Sequence, residues 1–401
     1  MRPAVVFIMI TIMIDAMGIG LIIPVMPDLI REVNGGDLSN AALWGGIMAT
    51  TFAVMQFLFG PVMGGLSDRY GRRPVLLLAL VVMAADYVLM SIAHTIWLLM
   101  LGRIIGGITA ATHATASAYM ADISKPEDRA ANFGLIGAGF GIGFVLGPLM
   151  GGVLAEYGTR APFWAATVLA MGNAILGWFV LKETVKKENR RAFEWRRANP
   201  FGAIRALGKL PGIRHLLVVY FIYHVAFAVY PSVWAYFGQE RFEWTPALIG
   251  YSLGLFGVMM ALVQAGLIRL VLRFLGERGT VIVGHLFSIL AFGVIAVVTS
   301  GTWALILTPL AALAGIIPPA LQGIMSRKVA PNAQGELQGA LSSAVALAMI
   351  LSPMAMTATF AHFTATDAPL YLPGAPFMLA MGLAILSLFI FLSRPASNDM
   401  A

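Results

Sequence analysis

Long apolar runs separated by short polar clusters recur along the whole chain, and about 20 consecutive apolar residues are what a helix needs to cross a bilayer. On that criterion twelve spans are predicted, near 4–27, 41–63, 74–93, 95–121, 131–154, 161–181, 213–237, 247–271, 280–299, 301–325, 336–360 and 373–393. The widest gap, 182–212, divides them six and six. Between spans two and three the stretch Gly64 to Leu76, GGLSDRYGRRPVL, crowds Asp68, Arg69, Arg72 and Arg73 around Gly71. Dense Arg beside a span marks a cytoplasmic turn. The opening Met1-Arg2-Pro3 and the apolar run behind it mimic a secretory signal, yet no small-residue cleavage site follows, so a retained first helix is expected.

The chain also repeats itself. Sliding it by 205 positions superposes Gly45 on Gly250, Gly71 on Gly276, Arg73 on Arg278, Met120 on Met325, Pro126 on Pro331, Gly134 on Gly339 and Pro148 on Pro353. One offset holding across several loops predicts two six-helix halves of parallel topology with a substrate path between them. The expected architecture is all-α and integral to the membrane: an N-terminal half over 1–181, a cytoplasmic linker over 182–212 and a C-terminal half over 213–401. The second half has lost charges that the first carries, since Asp15 meets Tyr220 and Arg103 meets Thr308.

Composition agrees. Of 401 residues, 59% are apolar and only 11% charged, where soluble globular proteins carry about 25%. The net charge of +7 would suit nucleic acid, but its distribution argues for a membrane face. One alternating set of segments, including both termini and the linker, holds 22 Lys and Arg residues against three (Arg31, Arg160, Arg241) on the other, with Arg103 inside a span. Both termini are therefore predicted cytoplasmic. The stretch from Lys182 to Arg214 interleaves ten basic residues with Phe193, Trp195 and Phe201, which suits an interfacial helix on anionic lipid as well as a solvated linker. With no Cys there is no disulfide framework and no thiolate metal site. Gly202 to Lys209 has one residue too many for a P-loop, and Gly250 to Gly254 matches the hydrolase G-x-S-x-G only inside an unbroken apolar span. No paired catalytic groups emerge, so an enzyme is not expected.

Candidate chemistry rests on polar groups inside spans, which are expensive in hydrocarbon and functional by default. Asp15 and Gln56 reach similar depth near mid-membrane. Asp86 and Arg103 enter from either side of the turn around His94 and can pair, either in the transport path or as a structural tie. Asp15 has no basic neighbour in its own span, so a carboxyl cycling between protonated and ionised forms is the favoured reading. His113, His224 and His285 are satisfied polar contacts or parts of a proton relay. Gln264 and Gln322 are candidate substrate partners. The rings of span seven (Tyr220, Phe221, Tyr223, Phe227, Tyr230, Trp234) suit either a flat ligand or ordinary packing.

Two motifs narrow the family. Gly64, Leu66, Ser67, Asp68, Arg69, Gly71, Arg72 and Arg73 reproduce G-x-L-[SA]-D-R-x-G-R-[RK], a charge cluster that can pair with Asp122 and latch a cytoplasmic gate. Gly134, Gly143, Gly147, Pro148, Gly151 and Gly152 reproduce G-x8-G-x3-G-P-x2-G-G in span five, where the glycines allow close helix contact and Pro148 bends the helix. These signatures resemble those of the major facilitator superfamily and of its proton-exchanging exporters. With Asp15 to Pro27, Leu101 to Gly107 and Pro319 to Gly323, the chain resembles twelve-span drug:proton antiporters, and more closely the tetracycline efflux proteins.

The resemblance implies that Asp15, Gln56, Asp68, Asp86 and Arg103 stand at positions important to transport. It also implies alternating access and a substrate exported as a divalent metal complex of tetracycline, so that Mg2+ arrives with the substrate and no resident cofactor or metal is needed. Two positions depart from the family pattern: a span-eight His is Met260 here, and a span-nine Asp is Ser288. His285, one turn before Ser288 on the same face, is a candidate to take over a proton-coupling role. An exporter of another drug or metabolite fits the same motifs, with a non-transporting receptor or scaffold as a remote third reading. The expected partners are a small-molecule substrate, protons and the lipid of a bacterial inner membrane, without nucleic acid, the chain acting as a monomer. A reporter fused after Arg394 should be accessible only from the cytoplasm; labelling from outside the cell would invert the topology.

Overall fold

The computed structural model describes residues 3–110, 112–185, 188, 190–191, 193–194, 211–330 and 333–393. Most of the linker, and with it the choice between interfacial helix and solvated chain, lies outside the described residues, as does Arg394. Among the described residues every regular element is helical. Hydrocarbon imposes this, because a spanning helix bonds every backbone N–H and C=O within itself.

The predicted spans appear as eleven apolar helical runs, of which Pro246–Val297 covers 52 residues. At about 1.5 Å per residue that run is far longer than one crossing of a core about 30 Å thick. It divides at Gly276, whose φ of 63° breaks the helix between spans eight and nine, so the run accounts for two crossings. Gly71, with φ 109°, makes the matching turn between spans two and three. Both turns need a backbone that L side chains adopt only under strain, and both are Gly at the repeat offset.

Several spans exceed their apolar stretch. Span one continues through a 3-10 turn at Ile23–Val25 into Met26–Asn34, which carries Asp28, Arg31 and Glu32. Pro24 and Pro27 lack the N–H that a straight helix would bond, which accounts for the tighter turn. Span two runs over Leu38–Tyr70, so the polar cluster Ser67-Asp68-Arg69 is helical and the turn itself contracts to Gly71.

Interruptions follow the repeat as well. Span seven breaks at Ala228, between Arg214–Phe227 and Val229–Phe242, at the offset from the turn in span one. Span four breaks at Ala110, between Ile96–Thr109 and Thr112–Ile123, and span ten breaks at the 3-10 turn Leu313–Ile316. Span eight holds a π-helical turn at Val263–Leu267, which includes Gln264.

The described helices gather into two compact units. The first comprises Met1–Gly36, Thr51–Pro200 and Thr245–Gly254; the second comprises Asp37–Thr50, Phe201–Trp244 and Leu255–Ala401. The first therefore includes the opening turns of span eight, and the second the opening turns of span two.

In the first unit spans one and five form the principal helix pair. Gly139, Gly143, Gly147 and Gly151, spaced four apart, present one face of small residues to the span-one backbone. A Cβ at Gly147 would meet Met17 O at 2.6 Å and Gly20 Cα at 2.9 Å. Small residues let backbones approach where hydrocarbon supplies no hydrophobic drive. Gly152 points elsewhere: a Cβ there would meet Pro246 O at 2.7 Å and Ala247 Cα at 3.0 Å, at the start of span eight. Gly250 abuts Pro148 O and Gly152 in return, which gives the G-x-S-x-G stretch its packing explanation. In the second unit Gly45 and Gly46 of span two receive Tyr236 Oη and Thr357 Oγ1, and Thr50 donates to Ile350 O at 3.1 Å.

Gly147→Val should therefore lower unfolding stability in mixed micelles by about 1–3 kcal/mol through overpacking. Gly134→Ala, at a position with nothing within 4 Å, should leave it unchanged or raise it. Equal losses would disprove the close span-one contact.

Candidate functional site

The first unit contains a buried ion pair. Asp86 of span three is 4% exposed and Arg103 of span four 9%. Arg103 Nη2 donates to Asp86 Oδ2 at 3.2 Å and lies against Met90 Sδ, while its guanidinium covers the Phe52 ring at 5.4 Å. Gly102 and Gly106 make room for the carboxylate: a Cβ on either would stand 2.7 Å from an Asp86 oxygen. Pairing is the least costly way to keep two charges out of water. The satisfaction is incomplete, since Asp86 Oδ1 and Arg103 Nε have no hydrogen-bond partner among the described residues. Such atoms remain open to water, a proton or a polar ligand group.

Asp15, half-buried, lies on the span-one segment that packs against Gly143 and Gly147. One turn earlier, Thr11 donates to Asn173 Oδ1 of span six at 3.3 Å. Gln56 of span two is exposed.

At the end of the unit that carries the Gly71 turn, the charges form one network. Arg72 Nη2 meets Asp68 Oδ1 at 2.6 Å, its Nε meets Asp122 Oδ2 at 3.4 Å, and Nη1 donates to Ser67 Oγ at 2.5 Å. Thr184 Oγ1 donates to Asp122 Oδ2 at 2.9 Å. Arg73 donates to Trp178 O at 2.8 Å and stacks on the Trp178 ring. Arg69 lies exposed over Tyr70. Glu183, just past span six, accepts from the backbone N–H groups of Arg72 at 2.9 Å and Arg73 at 3.3 Å. A carboxylate at a helix N-terminus satisfies orphan donors and complements the helix dipole. The cluster thus ties spans two, three, four and six together inside the first unit. Gly64, by contrast, has nothing within 4 Å of its missing side chain.

The second unit gathers polar groups around its helix breaks. Gln322 Nε2 donates to Tyr220 Oη at 3.1 Å, and His224 Nδ1 donates to Tyr220 O at 2.8 Å. Tyr223 Oη donates to Ala314 O at 3.2 Å, in the broken turn of span ten. Gln264, exposed on its π-turn, has its Nε2 3.9 Å from where a Gly315 Cβ would stand, and Met260 Sδ fills the space directly over Gly315. π-turns are rare and recur at functional sites. Most of the span-seven rings pack as core: Tyr223, Tyr230 and Trp234 are buried, and Tyr230 touches Phe256, Phe292 and Phe377. His285, 1% exposed, has both nitrogens engaged, Nδ1 with Val281 O at 2.8 Å and Nε2 with Ser387 Oγ at 2.9 Å. Ser387 Oγ also lies 3.2 Å from Val219 O, so spans seven, nine and twelve meet there.

Among the described residues no group of three or more His, Asp or Glu side chains is arranged to hold a metal ion. Sequence reasoning missed Phe52, Met90 and Glu183. Of these only Glu183 carried a signal, an acid set against a helix that opens with Arg72 and Arg73.

Comparison with known proteins agrees with this geometry. The Major Facilitator Superfamily profile matches residues 8–353. The tetracycline resistance protein, class C, of Escherichia coli is 41% identical over 363 residues, covering 90% of this chain and 91% of the relative. The class E protein of Escherichia coli is 38% identical, covering 88% and 87%. The crystal structure of the human organic anion transporter MFSD10 superposes with a TM-score of 0.70 at 24% identity, covering 97% of this chain and 99% of that one.

Arg103→Ala strips Asp86 of its counter-charge and should cost about 3–5 kcal/mol of unfolding free energy. Removing both partners should cost less than Arg103→Ala alone; additive losses in this double-mutant cycle would show that the pair is not coupled.

Proposed function

Because this chain belongs to the Major Facilitator Superfamily, a family of transporters and not of enzymes, we propose that it exports tetracycline across a bacterial inner membrane in exchange for protons. The observation that carries this reading is the 41% identity to a tetracycline resistance protein over nine-tenths of both chains. The chain is a multi-pass membrane protein of the efflux type, acting on a small molecule. The finer statements are ours. Both termini face the cytoplasm, the drug travels as its divalent metal complex, and two six-helix halves, 1–181 and 213–401, expose the path alternately to each side.

Each proposed role rests on a position already described. Asp15 exchanges the proton, and Asp86 and Arg103 form a separate buried pair whose free atoms, Oδ1 and Nε, can accept or release a polar contact as the path opens. Gln56 is exposed and open to a polar group of the drug; in the second unit Gln264 is likewise exposed, and Gln322 fixes the Tyr220 hydroxyl. The engagement of both His285 nitrogens supports a tie between helices over proton carrying. Asp68, Arg72 and Asp122 hold the cytoplasmic gate, with Glu183 fixing the start of span three. Gly152 against Pro246 supports the leak-tight contact expected of the span-five signature.

A second reading, export of a different amphipathic drug, is favoured by one observation. Met260 and Ser288 stand where titrating groups are the family pattern, and Met260 Sδ closes over Gly315. Everted vesicles with an imposed proton gradient decide between them. Tetracycline uptake that needs both the gradient and Mg2+ is the expected result. Gradient-driven uptake of other drugs without tetracycline would replace the substrate only, and uptake that ignores the gradient would refute antiport.

A further inference from the structure

Span three carries two buried polar side chains in succession, Asp86 and Tyr87, and they point to different neighbours. The Asp86 carboxylate faces span four, over Gly102 and Gly106. Tyr87, 5% exposed, packs its ring with Leu21 of span one and Ala166 and Ala170 of span six. Its hydroxyl reaches span one, where it occupies the space that a Cβ on Gly18 would fill. Gly18 follows Asp15 by three residues on the same helix, and Cβ atoms at that spacing stand about 5–6 Å apart. The hydroxyl oxygen, seated at that Cβ position, therefore lies one helical turn from the Asp15 side chain on the same side of span one.

The internal repeat supplies a control. At the offset of 205, Asp15 becomes Tyr220, Gly18 becomes Tyr223, Asp86 becomes Ala291 and Tyr87 becomes Phe292. The second half keeps the buried ring, since Phe292 packs on Tyr230, and drops the hydroxyl where it also drops both carboxylates and the glycine seat. Packing alone is served by Phe. The hydroxyl goes with the charges.

We propose that Tyr87 is a positioning residue of the proton step, its hydroxyl serving the Asp15 carboxyl, with Gly18 the seat that admits it. This role rests on the proton-exchange reading above. With the hydroxyl in place, the Asp15 carboxyl has a hydrogen-bond partner in both its protonated and its ionised form, since a phenol can donate or accept.

Tyr87→Phe keeps the ring and removes the oxygen. In everted vesicles offered tetracycline with Mg2+, it should lower the gradient-driven initial rate about tenfold, as losing one hydrogen bond to a charged group does. The drug KM should stay within about twofold, and the pH profile of uptake should shift. Drug-for-drug counterflow, which needs no net proton movement, should persist. Gly18→Ala, which puts a methyl group where the hydroxyl sits, should reproduce the loss and add little in the Tyr87→Phe background. Thermal unfolding of each variant in micelles checks that it folds. Tyr87→Phe uptake matching the unmodified protein across pH would overturn the proposal, and so would equal loss of driven uptake and counterflow. If the unmodified protein itself ignores the gradient, the proton reading fails and this role falls with it.

Discussion

Hydrocarbon offers a polar group nothing to bond with, and most features of this chain follow from that constraint. It makes every described element a helix, confines turns to points such as Gly71 and Gly276, and makes an unpaired charge at depth costly. Asp86 and Arg103 are admitted only as a pair, and the surroundings are shaped around them: two glycines under the carboxylate, a ring and a thioether against the guanidinium. Yet the pair is held by a single charged hydrogen bond, with one atom on each side unpartnered among the described residues. A purely structural bridge would gain from closing those bonds, because a half-satisfied buried network is a poor stabiliser. The open valences are what a site that must change partners requires.

The fold was legible because its signal is additive. Twenty apolar residues outweigh any local ambiguity, and the Lys and Arg asymmetry orders them. Span ends were less legible, since helix can continue into polar sequence once it leaves the hydrocarbon, as Met26–Asn34 and the last turn before Gly71 do. Charge depth made the Asp86–Arg103 pair readable, because two costly groups at one level on adjacent helices have few alternatives. Glu183 was not readable in the same way. Its partners lie more than 100 residues earlier, and its role depends on where span six ends in space. The π-turn at Gln264 and the 3-10 turn at Leu313–Ile316 have no compositional signature, so only the backbone reveals them. The rings of span seven were ambiguous by nature. Ring–ring contact and ligand stacking use the same side chains, and burial is what separates them.

The two halves share a backbone plan and differ in chemistry. Breaks fall at the same offset in spans one and seven and in spans four and ten, and left-handed glycines end spans two and eight alike. Interruptions free backbone groups inside the hydrocarbon, which is tolerated only where a neighbour re-satisfies them or a polar path runs past. Tyr223 donating to Ala314 O is the first case, and Gln264 exposed on its π-turn fits the second. The repeat therefore fixes where a path can run and leaves open what lines it.

That freedom has been used asymmetrically. The first half retains Asp15, Asp86, Arg103 and the phenol of Tyr87, whereas the matching positions of the second half are Tyr220, Ala291, Thr308 and Phe292. Were charge needed only to hold helices together, both halves would need it, because both have the same helix crossings to maintain. The second half meets that demand with neutral contacts: Ser387 to His285, Tyr223 to Ala314 O, Gln322 to Tyr220. Neutral bonds thus suffice for this architecture, and the charges of the first half exceed what holding it requires. A surplus of buried charge in one of two equivalent scaffolds is the mark of a group kept for a reaction. Under the exchange proposed above, Asp15 is that group, with the Tyr87 hydroxyl seated one turn away at Gly18.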